Sequence, residues 1–495
     1  MRRIAQLALR IFCALLVCAA PPRFARAQAS ASAQDQAADK ASPSSTQIDQ
    51  TGTQPNAPAP PDSSSDSAST DALTLFPHSD TSRYWISGQA NIILQWHGAF
   101  PAKYSGPNSL RPMAENGTSK VYTLYLGYEL TPTTEVFLDV ESAGGHGLSN
   151  SLGLAGITNL DVVRNTTLSQ DPYVARIMLR QIIPLSDDRI ESDRDEFHLA
   201  TSLPARRIEF RIGKFGMADF FDLNTWGSDS HLQFLNWTVD NNGAYDYAAN
   251  TRGYTDGVIL EYDDHWWTAR FAEALMPKVA NGINLDADIA RARAENLELE
   301  ARGKLIAHRA GTVRLLSYLN HADMGNYRDA VADYLDHETP TPEIIFTRRE
   351  GRHKYGFGLN FEQAITSQVG VFGRLGWSDG RNESFAYTED DRTLELGGFT
   401  MGGAWHRRND RAGAVFVANG IVAAHQQYLA LGGLGFLLGD GGLTYGPEKI
   451  FEGFYTAHLW RGFFASFDLQ HINNPGYNQD RGPVTVPTMR FHVDF

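Results

Sequence analysis

The C-terminal stretch Pro487-Thr488-Met489-Arg490-Phe491-His492-Val493-Asp494-Phe495 decides the reading of this chain. Successive side chains of a strand point to opposite faces. Met489, Phe491, Val493 and Phe495 therefore share one face, and Thr488, Arg490, His492 and Asp494 share the other. A soluble sandwich strand can alternate in this way, but it seldom ends a protein on an unprotected Phe. An apolar outer face backed by a charged inner face is what a strand of a transmembrane β-barrel requires.

The other end of the chain agrees. Arg2, Arg3 and Arg10 lead into an apolar run at 11–20 that is too short to span a bilayer. Ala25-Arg26-Ala27 supplies a small-residue cleavage site, so residues 1–27 read as a secretory signal peptide rather than an anchor. Both cysteines, Cys13 and Cys18, lie inside it, and Val17 before Cys18 argues against lipidation. Cleavage removes five arginines and no acid, leaving 38 basic and 57 acidic residues, a net charge of −19. The mature chain then has no thiol for disulfides, catalysis or metal ligation. Its acidity argues against nucleic acid as a partner.

From 28 to 71 the composition collapses to Ala, Ser, Gln, Asp, Thr and Pro, with Ile48 the single large apolar side chain. Such a segment buries too little to offset the entropy of ordering. The expected organisation is a signal peptide at 1–27, a disordered linker at 28–80 and an all-β, antiparallel up-and-down transmembrane barrel at 81–495.

Within the barrel region no segment offers eighteen consecutive apolar residues, so no transmembrane helix is expected. Near-alternating runs recur instead, at 84–96, 121–130, 135–140, 174–183, 206–213, 257–262, 266–272 and 296–302. They continue at 313–320, 357–362, 369–377, 394–405, 412–417, 450–459 and 463–470. With the C-terminal strand these make about sixteen, an even number as bacterial barrels prefer. A helix at 285–300 is the competing reading there. The alternation of Leu297 and Leu299 with Glu298 and Glu300 selects a strand for its second half. The connections alternate too, short at the expected periplasmic end and long at the other. One disobeys: 184–204 should be a short turn and is not.

Arg at a lipid-facing midplane position costs about 2–4 kcal/mol, whereas the lumen is wet. Arg207, Glu209 and Arg211 are thus expected inward, with Ile208, Phe210 and Ile212 outward. The same logic turns Asp139, Glu141, Glu298, Glu300, Arg302, Asn360, Glu362, Arg374, Asp468, Gln470 and Arg490 into the lumen. A barrel of this size encloses an aqueous channel. A pore is the natural function.

Several separated motifs in this order resemble the carbohydrate-selective porin family of Gram-negative outer membranes. They include Gly439-Asp440-Gly441-Gly442-Leu443-Thr444-Tyr445-Gly446-Pro447-Glu448, Asn474-Pro475-Gly476-Tyr477-Asn478 and Asp480-Arg481-Gly482-Pro483-Val484. Gly213-Lys214-Phe215, Asp219-Phe220-Phe221-Asp222-Leu223-Asn224, Gln233-Phe234-Leu235-Asn236-Trp237 and the block 246–254 fit as well. The ending on Phe495 resembles the signature that marks outer-membrane barrels for assembly. The resemblance covers residues 84–495 and implies passive uptake of small carbohydrates, glucose-like monosaccharides above all, through a sixteen-stranded pore in the outer membrane.

The long segment 216–255 suits a constriction because it concentrates polar and aromatic groups. The candidate sugar-binding residues are Arg207, Arg211, Lys214, Asp219, Asp222, Asn224, Trp226, Trp237 and Arg252. Sugars offer hydroxyls to such groups and apolar C–H faces to the rings. The expected partners are small carbohydrates and outer-membrane lipid. A homo-oligomer is compatible with the sequence, which does not separate monomer from trimer.

No cofactor or metal is expected. Asp222-Leu223-Asn224-Thr225-Trp226-Gly227 begins like a calcium loop, but Trp226 stands at a ligand position and Gln233 at the closing Glu. No G-x-S-x-G elbow, Walker loop or H-E-x-x-H pair appears. The alternatives are a general diffusion porin, a barrel-embedded lipase or deacylase, and a secreted carbohydrate-binding protein or glycosidase. The enzyme would need a Ser/His pair at the rim, and the secreted protein would not need detergent for extraction.

Overall fold

The computed structural model describes residues 72–495 except 163, 164, 166, 305 and 307. The signal peptide and nearly all of the linker expected before the barrel lie outside the described residues. The first strands are β1 (Tyr84–His97), β2 (Glu115–Thr131), β3 (Thr134–His146), β4 (Tyr173–Pro184), β5 (Arg189–Glu191) and β6 (Ser202–Pro204). Next come β7 (Arg207–Phe215), β8 (Thr255–Asp263), β9 (Trp267–Leu275), β10 (Arg293–Lys304), β11 (Ala310–Met324) and β12 (Arg349–Ala364). The last six are β13 (Val369–Ser378), β14 (Arg392–Met401), β15 (Arg411–Gly420), β16 (Glu448–Trp460), β17 (Phe463–Asn473) and β18 (Val484–Asp494).

All but β5 and β6 form one closed antiparallel barrel of sixteen strands, each hydrogen-bonded to its sequence neighbours. The seam is β1 against β18, with Gln89 opposite Asp494 and Gln95 opposite Thr488. Phe495 completes it: its N–H donates to Gly88 O at 2.9 Å, and Gly88 N–H donates to Phe495 O at 2.7 Å. Closure leaves no unpaired sheet edge, the condition for backbone to lie in lipid.

The alternation resolves as the sequence demands. Met489 and Phe491 face out at 40% and 43% exposure, while Arg490 and His492 are inward and buried. Leu297 and Leu299 face out between buried Glu298 and Glu300. Exposed Leu, Ile and Phe recur on nearly every strand, a continuous apolar band far larger than a soluble surface carries. Tyr84, Trp266 and Trp460 are exposed near the end with the short turns, and Trp96 near the opposite end, as membrane-interface aromatics.

Residues 285–292 form loop, and the strand at the second half of the ambiguous segment is β10. The run at 394–405 ends as strand at Met401 and closes in a short 3-10 turn. Residues before 81 already touch the barrel: Leu75 N–H donates to Asp494 O at 2.9 Å, and Arg194 donates to Ser79 O at 2.6 Å. The connection that broke the long–short rule folds as the hairpin β5–β6, with Ile190 opposite Leu203. Leu299→Arg should destabilise the folded barrel by about 2–4 kcal/mol, read from urea titrations of folding into lipid vesicles; an unchanged midpoint would contradict a lipid-facing position.

Candidate functional site

The inward side chains of the wall form a continuous chain of ion pairs. Arg180 on β4 bridges Glu135 on β3 (2.8 Å) and Glu209 on β7 (2.7 Å). Glu209 also holds Arg207 (2.6 Å), which reaches Asp263 on β8 (2.9 Å). Arg270 on β9 joins Glu261 on β8 to Glu298 on β10. Glu300 pairs with Arg302 (2.6 Å) and with Arg314 on β11 (2.8 Å), which extends to Glu362 on β12 (3.3 Å). Buried charge is tolerated because each group meets opposite charge. Glu209, Glu261 and Asp263 lie close enough together to ligate a cation, but Arg207, Arg211 and Arg270 already neutralise them.

The segment between β7 and β8, residues 216–254, runs along the inside of this wall. Its path is set locally by side-chain oxygens that cap their own backbone two residues on. Asn224 accepts from Trp226 N (3.0 Å), Asp229 from His231 N (3.1 Å) and Asn236 from Thr238 N (3.0 Å). Asn242 accepts from Ala244 N (3.1 Å) and Asn250 from Arg252 N (2.9 Å). Such turns are the normal use of Asn and Asp in irregular chain. Wall groups then fasten the segment from β9 to β18. Arg270 donates to Phe220 O (2.6 Å), and Asn360 to Asp222 O (2.9 Å). Arg374 donates to Val239 O (2.6 Å), Glu452 accepts from Asn236 N (3.3 Å), and Arg490 donates to Ser230 O (2.5 Å).

A second loop, residues 147–172, enters beside it. Gln95 donates to Thr158 O (2.9 Å), and Ala155 and Gly156 donate to Glu448. The two loops meet at His231 and Asp161, 3.5 Å apart. Burial alone would lower the His231 imidazole, but Asp161 outweighs it and holds it up at about 9.

Nearer the long-loop end of β3 and β4 stands a different cluster. Arg176 on β4 forms a bidentate pair with Asp219 of the long segment (2.6 and 2.7 Å) and reaches Asp139 on β3 (3.1 Å). Its guanidinium lies 5.1 Å from the Phe197 ring and 5.4 Å from the Tyr254 ring. Beside it Glu141 accepts from Thr123 (3.1 Å), Tyr254 (3.0 Å) and Tyr173. The Arg176 side chain keeps 13% exposure, against 1% for Arg180 and Arg211. Guanidinium, carboxylates, phenols and ring faces thus converge where β3, β4 and the inner segment meet.

The candidate residues read from the sequence divide into three groups. Asp219 belongs to this cluster. Arg207 and Arg211 face inward but are consumed by the wall network. Asp222, Asn224, Trp226 and Trp237 fasten the inner segment: Asp222 pairs with Arg374 (2.9 Å), Asn224 donates to Asn360 (2.8 Å), and Trp237 donates to Asn159 O (2.7 Å). Trp226 stands 5.3 Å from Phe399, at a site where a Cβ on Gly370 would collide with its indole. Lys214 and Arg252 lie at the edge of the cluster, the Lys214 ammonium 5.7 Å from the Tyr254 ring. Lys214 shares the outward face of β7 with Ile212 and donates to Val174 O (2.6 Å), and Arg252 stacks on Tyr173 at the loop end. The expectation that Lys214 faces the lumen is corrected by the register. Arg176 escaped sequence reading because β3 and β4 carry a bulge between Asp139 and Val140, which breaks the alternation around it.

A model of the carbohydrate-selective porin, OprB family, matches residues 123–495. The chain belongs to that family. Its barrel matches the high-pH structure of Pseudomonas putida OprB at 14% identity and a TM-score of 0.61, over 83% of this chain and 94% of that one. The low-pH form matches at 10% identity and a TM-score of 0.44, over 83% and 92%. The Acinetobacter baumannii channel DcaP matches at 8% identity and 0.44, over 83% and 97%. No curated protein matches the chain. This porin is a β-barrel channel of the outer membrane.

The His231–Asp161 pair gives the porin a pH-sensitive loop contact. Because the folded His231 value lies above its ordinary 6.5, the contribution of the charged pair is complete below that pH and is lost as pH rises through about 9. Single-channel recordings should show added loop fluctuation above pH 9 in the native porin and already at pH 7 in His231→Gln; equal traces would remove this contact from the loop anchorage.

Proposed function

We propose that this porin passes small carbohydrates, monosaccharides such as glucose, by passive diffusion along the face of its lumen formed by β3, β4 and the inner segment. The observation that carries the reading is the Arg176–Asp219–Asp139 cluster between the rings of Phe197 and Tyr254. A sugar presents hydroxyls to the charged groups and C–H faces to the rings, and a pore must hold it weakly enough to release it. The lumen-facing acids from β3 to β12 are ion-paired with arginines, which favours an uncharged solute over a cation there. Export by a signal peptide at 1–27 and lipid contact at the apolar band belong to the same proposal.

The test is conductance of the purified porin in a planar bilayer, with glucose and then a small amino acid added. Saturable block by glucose alone supports the proposal, and indifference to both solutes would leave a general diffusion porin. Arg176→Lys keeps the charge but loses the planar fork, and should weaken glucose block about tenfold, the worth of one charge-assisted hydrogen bond. Leu315→Ala, on the outward face of β11, should leave it unchanged.

A further inference from the structure

Every other connection at the short-turn end is brief, yet residues 185–206 form a folded body. Its base is the β5–β6 hairpin, reinforced by Leu185 N–H to Arg206 O (2.9 Å) and Ala205 N–H to Asp188 O (2.7 Å). Its tip, 192–200, is a compact turn: Ser192 N–H donates to Thr201 O (3.0 Å), and Asp195 accepts from Phe197 N (2.7 Å) and His198 N (2.9 Å).

The tip points into the barrel. Glu135, an inward residue of β3, accepts from Leu199 N (3.1 Å) and Ala200 N (2.9 Å). Leu199 occupies the space left by Gly127 on the inner face of β2, where a Cβ would stand 3.1 Å from it. Phe197 reaches the Arg176 guanidinium, which also pairs with Asp139 of β3. There its ring meets Phe220 of the inner segment edge to face at 5.5 Å and lies beneath the Arg176 guanidinium. Phe197 and Leu199 are 1% and 2% exposed. A segment entering from the periplasmic mouth and one entering from the extracellular mouth therefore touch inside the barrel.

We propose that residues 185–206 are a periplasmic plug whose Phe197 forms the floor of the constriction and sets the size limit of the solute that passes. The proposal uses the position of the path given under Proposed function, but not its sugar preference. Phe197 governs cross-section in addition to offering its ring face to the solute, while Arg176 and Asp219 supply the polar contacts. The double anchorage on Glu135 and the β5–β6 hairpin make the plug a fixed part of the channel.

The test measures salt conductance and sugar-induced swelling of liposomes holding the refolded porin. Heat-modifiable migration on gels verifies that each barrel is closed. Phe197→Ala should raise conductance about two-fold and admit a disaccharide that the native porin excludes, since a pore's flux follows the section left open. Phe197→Trp should lower both. Replacing 187–203 by a short Gly-Asn turn should raise conductance further. Unchanged conductance and size cut-off in Phe197→Ala and Phe197→Trp, with barrels intact, would overturn the plug. Larger conductance in Phe197→Ala together with a native porin that glucose does not block would uphold the plug while contradicting the sugar reading, so the two ideas fail separately.

Discussion

Pairing of charge inside the wall is the constraint on which this structure rests. A strand with lipid on one side can place its charged groups only on the other. The lumen therefore collects arginines and carboxylates at a density that would be intolerable unpaired, since stranding one buried partner costs about 3–5 kcal/mol. The wall meets that cost by neighbour-to-neighbour pairing, from Glu135 on β3 to Glu362 on β12. What the wall does not pair within itself, it uses on the loops. Arg374 holds Glu395 at 3.0 Å and the backbone of residues 222, 239 and 240, so one guanidinium binds two strands and two points of the inner segment.

The barrel was legible in the sequence because its signal is periodic and local. Alternation at Met489, Arg490 and Phe491 needs no knowledge of distant residues, and the same holds for Leu297 through Glu300. The long–short rhythm of connections was legible for the same reason, and its one violation, at 184–204, marks the segment that folds inward. The candidate site was legible only in part. A loop rich in Asp, Asn and Trp reads equally well as a ligand surface or as a surface that grips its own barrel. Asp222, Asn224, Trp226 and Trp237 proved to be grips, because their partners Arg374, Asn360, Phe399 and Asn159 come from strands and loops remote in sequence. Asp219 instead joins Arg176, which it shares with Asp139 of β3. Lys214 was misplaced by proximity to the loop, when the register with Ile177 and Asp256 decides its face.

The inner segment also changes what the barrel wall is for. Where 216–254 is laid against β9 to β18, the wall presents itself to loop backbone. Small residues make this contact close: a Cβ at Gly376 would strike Asn242, as one at Gly370 would strike Trp226. Polar wall groups there act as hydrogen-bonding sockets for the loop backbone.

The alternation of positive and negative groups along one wall has an electrical consequence. Field lines that leave Arg180 end on Glu135 and Glu209 a few ångströms away, so the field stays close to the wall. An ion moving down the axis meets short stretches of opposite sign that largely cancel. Paired in this way, the wall presents short-range dipoles rather than net charge to whatever lies beside it.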